Sequence, residues 1–172
     1  MPNDERVDII DENENIIGTV TKSEAHARGL LHKTVIAEVI DSQGRWLLVK
    51  QSNGRQDAGQ YVSPVGGHVA AGEAVEEALR REAFEEVGLE GGLRHEFCGK
   101  AIFNRKVLGR QENHYFIVYK IYSDAEPKLN YESVGYRYFT PEEMHAELKL
   151  HPEIFGDAFH FVVENIFAEI KP

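Results

Sequence analysis

Cysteine is almost missing from this 172-residue chain: Cys98 stands alone, so no disulfide can form within it. That excludes a disulfide-stapled secreted scaffold and fits a reducing compartment. Long apolar runs are missing as well. Nothing approaches the roughly 20 residues that a membrane span needs, and the opening stretch MPNDERVDII carries no apolar signal region. The expectation is a cytoplasmic protein without a membrane partner. No repeat, low-complexity tract or Pro/Gly-rich linker divides the chain, and its six prolines are scattered. A single domain over residues 1–172 is therefore expected. Positive charge is scarce: 19 Lys and Arg face 29 Asp and Glu, a formal net charge of −10. Such a surface repels a nucleic-acid backbone and argues against that class of partner. It would also repel a small phosphorylated substrate, unless cations mediate the contact.

What is present reads as strands interrupted by one helix and closed by others. VDIIDENENIIGTV at 7–20 looks like a hairpin around a polar turn, within an N-terminal extension covering 1–31. SEAHARGLLH is a short helical turn and connection. KTVIAEVI and RWLLVKQ are strand-like runs around the turn DSQG, and SNGRQDAGQ and GGHVAAGE are loops by composition. A helix follows and ends near Val87, with Gly88 as its C-terminal cap. Residues 93–104 and 114–122 read as strands separated by the basic loop RKVLGRQEN, and YRYF at 136–139 as another. Thr140 and Pro141 open a helix, and HPEIFGDAFHFVVENIFAEI reads as a closing amphipathic helix. The fold class expected is α/β in the broad sense (α+β), a mixed sheet covered by helices on both faces, with an N-terminal hairpin.

The central helix poses a problem of placement. On a wheel of about 100° per residue, Val75, Ala78, Leu79 and Ala83 form the buried stripe. Glu76, Glu77 and Arg80 point away from it, as solvated charges should. Glu82 and Glu86 fall inside the apolar sector and Glu85 lies at its edge. Like charges three and four residues apart destabilise a helix, and burial at a core edge disfavours their ionised forms further. A divalent cation relieves both penalties, and Mg²⁺ is the ion that bridges a few carboxylates to phosphate oxygens.

The spacing Gly67, Glu73, then Arg81-Glu82-Ala83-Phe84-Glu85-Glu86-Val87-Gly88-Leu89 matches the Nudix box throughout. The chain thus resembles the Nudix hydrolases, with the box over 67–89. The resemblance implies the Nudix fold and cleavage of a diphosphate linkage with Mg²⁺ or Mn²⁺. It implies Glu82, Glu85 and Glu86 as metal ligands, with the Gly66 carbonyl as a further one. Glu73 would brace Arg81 in an ion pair. Glu82, Glu86 and Glu112 are the candidate proton acceptors for the attacking water.

The segments GTVTKSEAHARGLLHKTV and GGHVAAGE are similar to a narrower branch, isopentenyl-diphosphate isomerase and its hydrolase-like relatives. That likeness implies a second metal site at His26, His32, His68 and Glu112. The simpler expectation, that His26 and His32 are loop histidines hydrogen-bonded to backbone and that His68 packs beside the box, is placed ahead, because two isomerase positions are changed. Gly66 stands where the isomerases carry a cysteine, and His114 where they carry a catalytic glutamate. An isomerase is therefore the lesser alternative, as is a catalytically silent nucleotide-binding module. Lys50, Arg55, Arg105, Lys106 and Arg110 are candidate phosphate contacts; Trp46, Tyr61 and Phe103 are aromatics that could stack on a base or serve the core. The substrate expected is a small diphosphate: a nucleotide, a nucleotide sugar or an isoprenoid diphosphate. The oligomeric state is left open, a homodimer included.

Overall fold

The apolar run after His32 becomes the spine of the molecule. In the computed structural model, which describes residues 4–55, 57–107 and 109–172 and omits the side chains of Val107 and Arg110, β3 (His32–Ile40) contacts four other strands. It pairs antiparallel with β1 (Arg6–Ile10), β4 (Trp46–Gln51) and β6 (Val65–His68), and parallel with β8 (Arg110–Tyr122). Strand β2 (Ile16–Thr21) completes the N-terminal hairpin with β1, β5 (Tyr61–Val62) and β9 (Ser133–Phe139) flank β4, and β7 (Arg94–Val107) pairs with β8. A short helix α1 (Lys22–Arg28) leads from the hairpin into β3.

Alternation along a strand gives this sheet two apolar faces. Ile36, Ile40, Phe116 and Val118 meet α3 (Pro141–Leu150) and α4 (Asp157–Asn165) through Met144, Leu148, Phe159 and Val162. Ala37, Val39, Ile117 and Ile121 meet α2 (Val75–Val87) through Leu79, Ala83 and Val87. The result is a mixed α+β sandwich. No helix among the described residues is long and apolar enough to cross a membrane.

Three elements differ from the sequence expectation. The GGH segment expected to be loop is strand β6, in register with β3 from Val65 to His68. The basic stretch expected as a loop after residue 104 belongs largely to a hairpin, because β7 continues to Val107 and β8 begins at Arg110. The closing helix is broken: a 3-10 turn at Pro152–Ile154 precedes α4, and another follows at Ala168–Ile170. Tertiary contacts set that break. Gly156 donates its N–H to Tyr61 O (2.9 Å), and a side chain there would press on Val62 Cγ1 at 2.9 Å.

One core residue is a carboxylic acid. Glu38 is fully buried on the α3/α4 side, with Ser63 Oγ donating to its Oε2; its Oε1 has no partner among the described residues. Burial pushes its pKa up from 4.5 to about 8, against the opposing effects of the Ser63 hydrogen bond and the Lys120 charge. An unfolded chain gives up this proton as pH rises past about 4.5, whereas the folded protein keeps it until about 8. The stability this group contributes is therefore full below the lower value and is lost across that window. Glu38→Gln has no proton to titrate. Its melting temperature should gain on the wild type steadily between about pH 5 and about pH 9; two parallel pH curves would mean that Glu38 is not held neutral.

Candidate active site

Helix α2 is built to end a buried stripe in carboxylates. Glu77 Oε1 accepts from Ala74 N–H at its start (3.0 Å), and Gly88 at φ 70° closes its end with an N–H to Phe84 O. Between them, Ala78, Leu79, Ala83 and Val87 pack under the sheet, which fixes the helical phase. That phase turns Glu82 and Glu86 toward β6.

Arg81 ties the helix to the preceding loop and to β6. Its Nε and Nη2 each meet one oxygen of Glu73 at 2.9 Å, a two-pronged ion pair. Nη2 also donates to His68 O (3.0 Å), and Nη1 to Glu82 Oε1 (2.7 Å), with Glu85 Oε2 at 3.6 Å. Glu73 in turn accepts from Ala70 N–H (3.0 Å). Glu82 occupies the place where a side chain on Gly67 would lie: a Cβ there would sit 2.3 Å from Glu82 Cδ. Glu86 Oε2 accepts from Gly66 N–H at 3.3 Å. Gly66 and Gly67 are thus needed for closeness of approach, one donating its amide and the other vacating space.

The charges follow from that enclosure. Burial raises the pKa of Glu82, which Arg81 partly offsets. Burial also raises that of Glu86, and the neighbouring charges of Glu82 and Glu132 push in the same direction. Glu73 moves the other way, because its hydrogen bonds to Arg81 favour the carboxylate. Glu85 is half exposed, its side chain at 51%. The three box glutamates line one open cleft of about 1050 Å³ together with Gly66, His68, Arg55, Glu112 and Asn130.

A second cluster begins at His68 of β6, and its His26 and His68 reach the same cleft. Parallel pairing of β3 with β8 sets His32 opposite His114, and β6 brings His68 opposite Thr34. Helix α1 lays His26 over them. One ring nitrogen from each of the four lies within 4.8 Å of the others. The His26–His68 and His26–His114 Nε2 separations are 3.3 and 3.4 Å. His32 Nδ1 is 2.8 Å from Leu30 O, an arrangement in which Nδ1 carries the proton; its Nε2 then presents a lone pair and has no partner among the described residues. Burial lowers the pKa of His32 and, more strongly, of His68, so both rings are neutral at neutral pH. His26, His32 and His68 are therefore gathered in a cluster, and His32 makes a backbone contact, to Leu30 O. His114 joins them as a fourth imidazole that local sequence gave no reason to place there. Its register with His32 arises from pairing between strands 82 positions apart along the chain.

Glu112 is buried near that cluster, with Arg105 Nε at 3.3 Å. Arg105 also approaches Asp57 (3.8 Å) and Asp157 (3.5 Å), so carboxylates from three segments surround it. Arg55 pairs with Glu132 at 3.0 Å on the cleft wall. Lys50 is exposed and lies over the Tyr61 ring, and Lys106 is exposed on β7. The side chain of Arg110 lies outside the described residues. Trp46 is a core residue, Tyr61 packs edge-on to Phe139, and Phe103 stacks on Phe116.

The Nudix domain profile matches residues 30–158, three quarters of the chain. This chain belongs to the Nudix hydrolase family. An uncharacterised Nudix hydrolase of Streptomyces coelicolor is 34% identical, covering 81% of this chain and 76% of its own length. A protein of Photorhabdus laumondii named isopentenyl-diphosphate Delta-isomerase 2 is 28% identical over 95% of this chain and 93% of that one. The crystal structure of DR0079 from Deinococcus radiodurans superposes with a TM-score of 0.73 at 25% identity, covering 93% and 98% of the two chains.

The Nudix box glycine yields a steric test. Gly67→Ala forces the Glu82 carboxylate aside and should cost about 1–3 kcal/mol. For a domain of this size that is a melting-temperature drop of roughly 2–4 °C per kcal/mol. Gly18→Ala, whose added Cβ meets nothing within 4 Å, should stay within about 0.5 kcal/mol. Equal melting curves for the two variants would contradict the placement of Glu82 against β6.

Proposed function

We propose that this Nudix hydrolase is a pyrophosphohydrolase that cleaves a diphosphate linkage in a small molecule with Mg²⁺ or Mn²⁺. The observation that carries the reading is the convergence of Glu82, Glu85 and Glu86 on one cleft, two of them enclosed against a strand whose Gly67 has no side chain to obstruct them. Such hard oxygen donors fit a hard divalent ion, and burial has made the ionised forms of Glu82 and Glu86 costly without one. Glu82, Glu85 and Glu86 would hold the ion, with the Gly66 carbonyl beside them. An ion bound there screens the diphosphate charge and makes a bound water more acidic.

The rest of the work falls to the chain. Arg81 fixes Glu82 by a 2.7 Å hydrogen bond while Glu73 fixes Arg81, so the cleft keeps its shape. A carboxylate then accepts the proton of the attacking water. Glu86 is favoured, because it is the box carboxylate held against the Gly66 amide inside the cleft. Glu82 and Glu112, also on the cleft wall, are the other candidates. Arg55, on the same wall, is placed to meet a phosphate by exchanging its contact with Glu132.

The four imidazoles form a different donor set, nitrogen-rich and neutral, suited to a borderline transition ion such as Zn²⁺, Mn²⁺ or Fe²⁺. His32 Nε2 is the observation in favour, since it is a buried lone pair without a partner among the described residues. We assign His26, His32, His68 and His114 to that second centre, with Glu112 adjacent. Isomerase chemistry is the weaker reading despite the named relative. Gly66 offers no side chain, and His114 places an imidazole within the cluster where the isomerases carry a carboxylate.

The test is phosphate release from a panel of diphosphates with Mg²⁺, followed by mass spectrometry. Glu86→Gln should lower the rate by about 10²–10⁴ and weaken Mn²⁺ binding at the carboxylates, read by the electron spin resonance of the free ion. Undiminished turnover in this variant, or double-bond migration without phosphate release, would sink the hydrolase reading.

A further inference from the structure

Strand β9 is an edge of the sheet. It pairs with β4 on one side, and no other strand among the described residues meets it. The backbone of residues 134–139 makes no hydrogen bond outside that pairing among the described residues. A strand presents its N–H and C=O groups to its two sides in turn, so about half of those on β9 point away from the sheet. Helix α3, which follows, turns onto the face where Met144 and Leu148 join the core.

Side chains along β9 alternate between faces. Val134, Tyr136 and Tyr138 share one face; the two tyrosine rings meet at 5.9 Å, and Tyr138 packs on the α2 side of the core. Val134 is 65% exposed and Tyr136 41%, so two large side chains stand open beside unpaired backbone. Gly135, Arg137 and Phe139 share the other face. Arg137 is the one charge of the strand, and it is already answered: Glu147 of α3 lies 3.4 Å away, and the guanidinium lies over the Phe139 ring.

This pattern is self-complementary. Run antiparallel to a copy of itself about Tyr136, the strand sets Tyr136 against Tyr136, Val134 against Tyr138 and Gly135 against Arg137. Aromatic and β-branched residues then oppose one another on one face. On the other, the residue without a side chain faces the longest one, and no like charges meet. Charge selects the same edge. Two chains of net charge −10 repel each other, and SVGYRYF contains no acid. Strands β7 and β2 are edges as well, but neither fits. β7 exposes Arg94, Glu96, Lys100 and Lys106 and bulges between Phe97 and Gly99, devices that keep an edge unpaired. On β2 the Thr19 carbonyl already accepts from Arg6 (3.1 Å), and the exposed Ile16 and Ile17 point to opposite faces.

We propose that β9 is the interface of a homodimer, in which two copies join their sheets antiparallel about a two-fold axis at Tyr136. Such a contact uses the same patch on both copies and closes at two. A pair of seven-residue strands is smaller than the roughly 1,200–2,000 Å² of stable interfaces, so the dimer exchanges with monomer.

Sedimentation equilibrium of the full chain tests the association, and cysteine cross-linking tests the register. The wild type should show a monomer–dimer equilibrium that moves toward dimer as salt screens the mutual repulsion. Tyr136→Lys puts two like charges on the axis and should sediment as monomer while its circular dichroism stays that of the folded chain. The cross-linking variants are made with Cys98→Ser, which leaves no other thiol. Facing residues of antiparallel strands have Cα atoms about 4.5–5.5 Å apart, within reach of a disulfide. Tyr136→Cys alone should therefore give a covalent dimer under mild oxidation. Val134→Cys and Tyr138→Cys should each fail alone, because equal positions lie roughly 13 Å apart along the strands, and should cross-link when the two are mixed. These variants decide the matter even if Tyr136→Lys does not fold. A monomer at concentrations up to about 1 mM, a dimer that loosens with salt or survives Tyr136→Lys, or a mixture that fails to cross-link would overturn the proposal.

Discussion

The two-pronged ion pair between Arg81 and Glu73 is the constraint on which this site depends. Without it, one carboxylate of α2 would lie against the backbone of β6 with no cation to offset its burial. With it, a single guanidinium contacts the loop before the helix through Glu73, the helix through Glu82, and the strand through the His68 carbonyl. Guanidinium suits this post because it is planar, always charged and rich in donors. Three chain segments are thereby held in one register, and the glutamates one and five residues beyond Arg81 are aimed at the same cleft.

Strand β6 is where the two halves of the chemistry meet. Its Gly66 gives an amide to Glu86, its Gly67 makes room for Glu82, and its His68 turns a ring to the imidazole cluster while giving its carbonyl to Arg81. A hard oxygen set and a nitrogen set therefore flank one three-residue segment. The acidity of the whole chain follows the same logic. A net charge of −10 is a poor host for diphosphates until cations are bound, so on the proposed reading metal loading and substrate capture would be coupled electrostatically.

Much of this was legible in the sequence because it is local. The helical wheel placed Glu82 and Glu86 among buried positions, and Ala78, Leu79 and Ala83 of that stripe are buried, with Val87 added and Val75 only half-buried. The hairpin before residue 21 and the Thr140 cap were likewise carried by short-range signals. What was missed is non-local. Two adjacent glycines read as loop, yet pairing with β3 makes them strand, and the Glu82 carboxylate takes the space of a Gly67 side chain. The fourth imidazole depends on β3 and β8 running parallel, which nothing near His114 announces. The break before α4 comes from Gly156 meeting Tyr61, about 95 residues earlier in the chain.

Diffraction from crystals soaked in Mn²⁺ tests the central claim most directly, because anomalous scattering locates the ion without reference to activity. The account predicts a peak bounded by Glu82, Glu85 and Glu86 beside Gly66, retained in Ser63→Ala and lost in Glu86→Gln. Carboxylates that stay turned into solvent with no peak between them, at Mn²⁺ concentrations that fill the imidazole cluster, would contradict it.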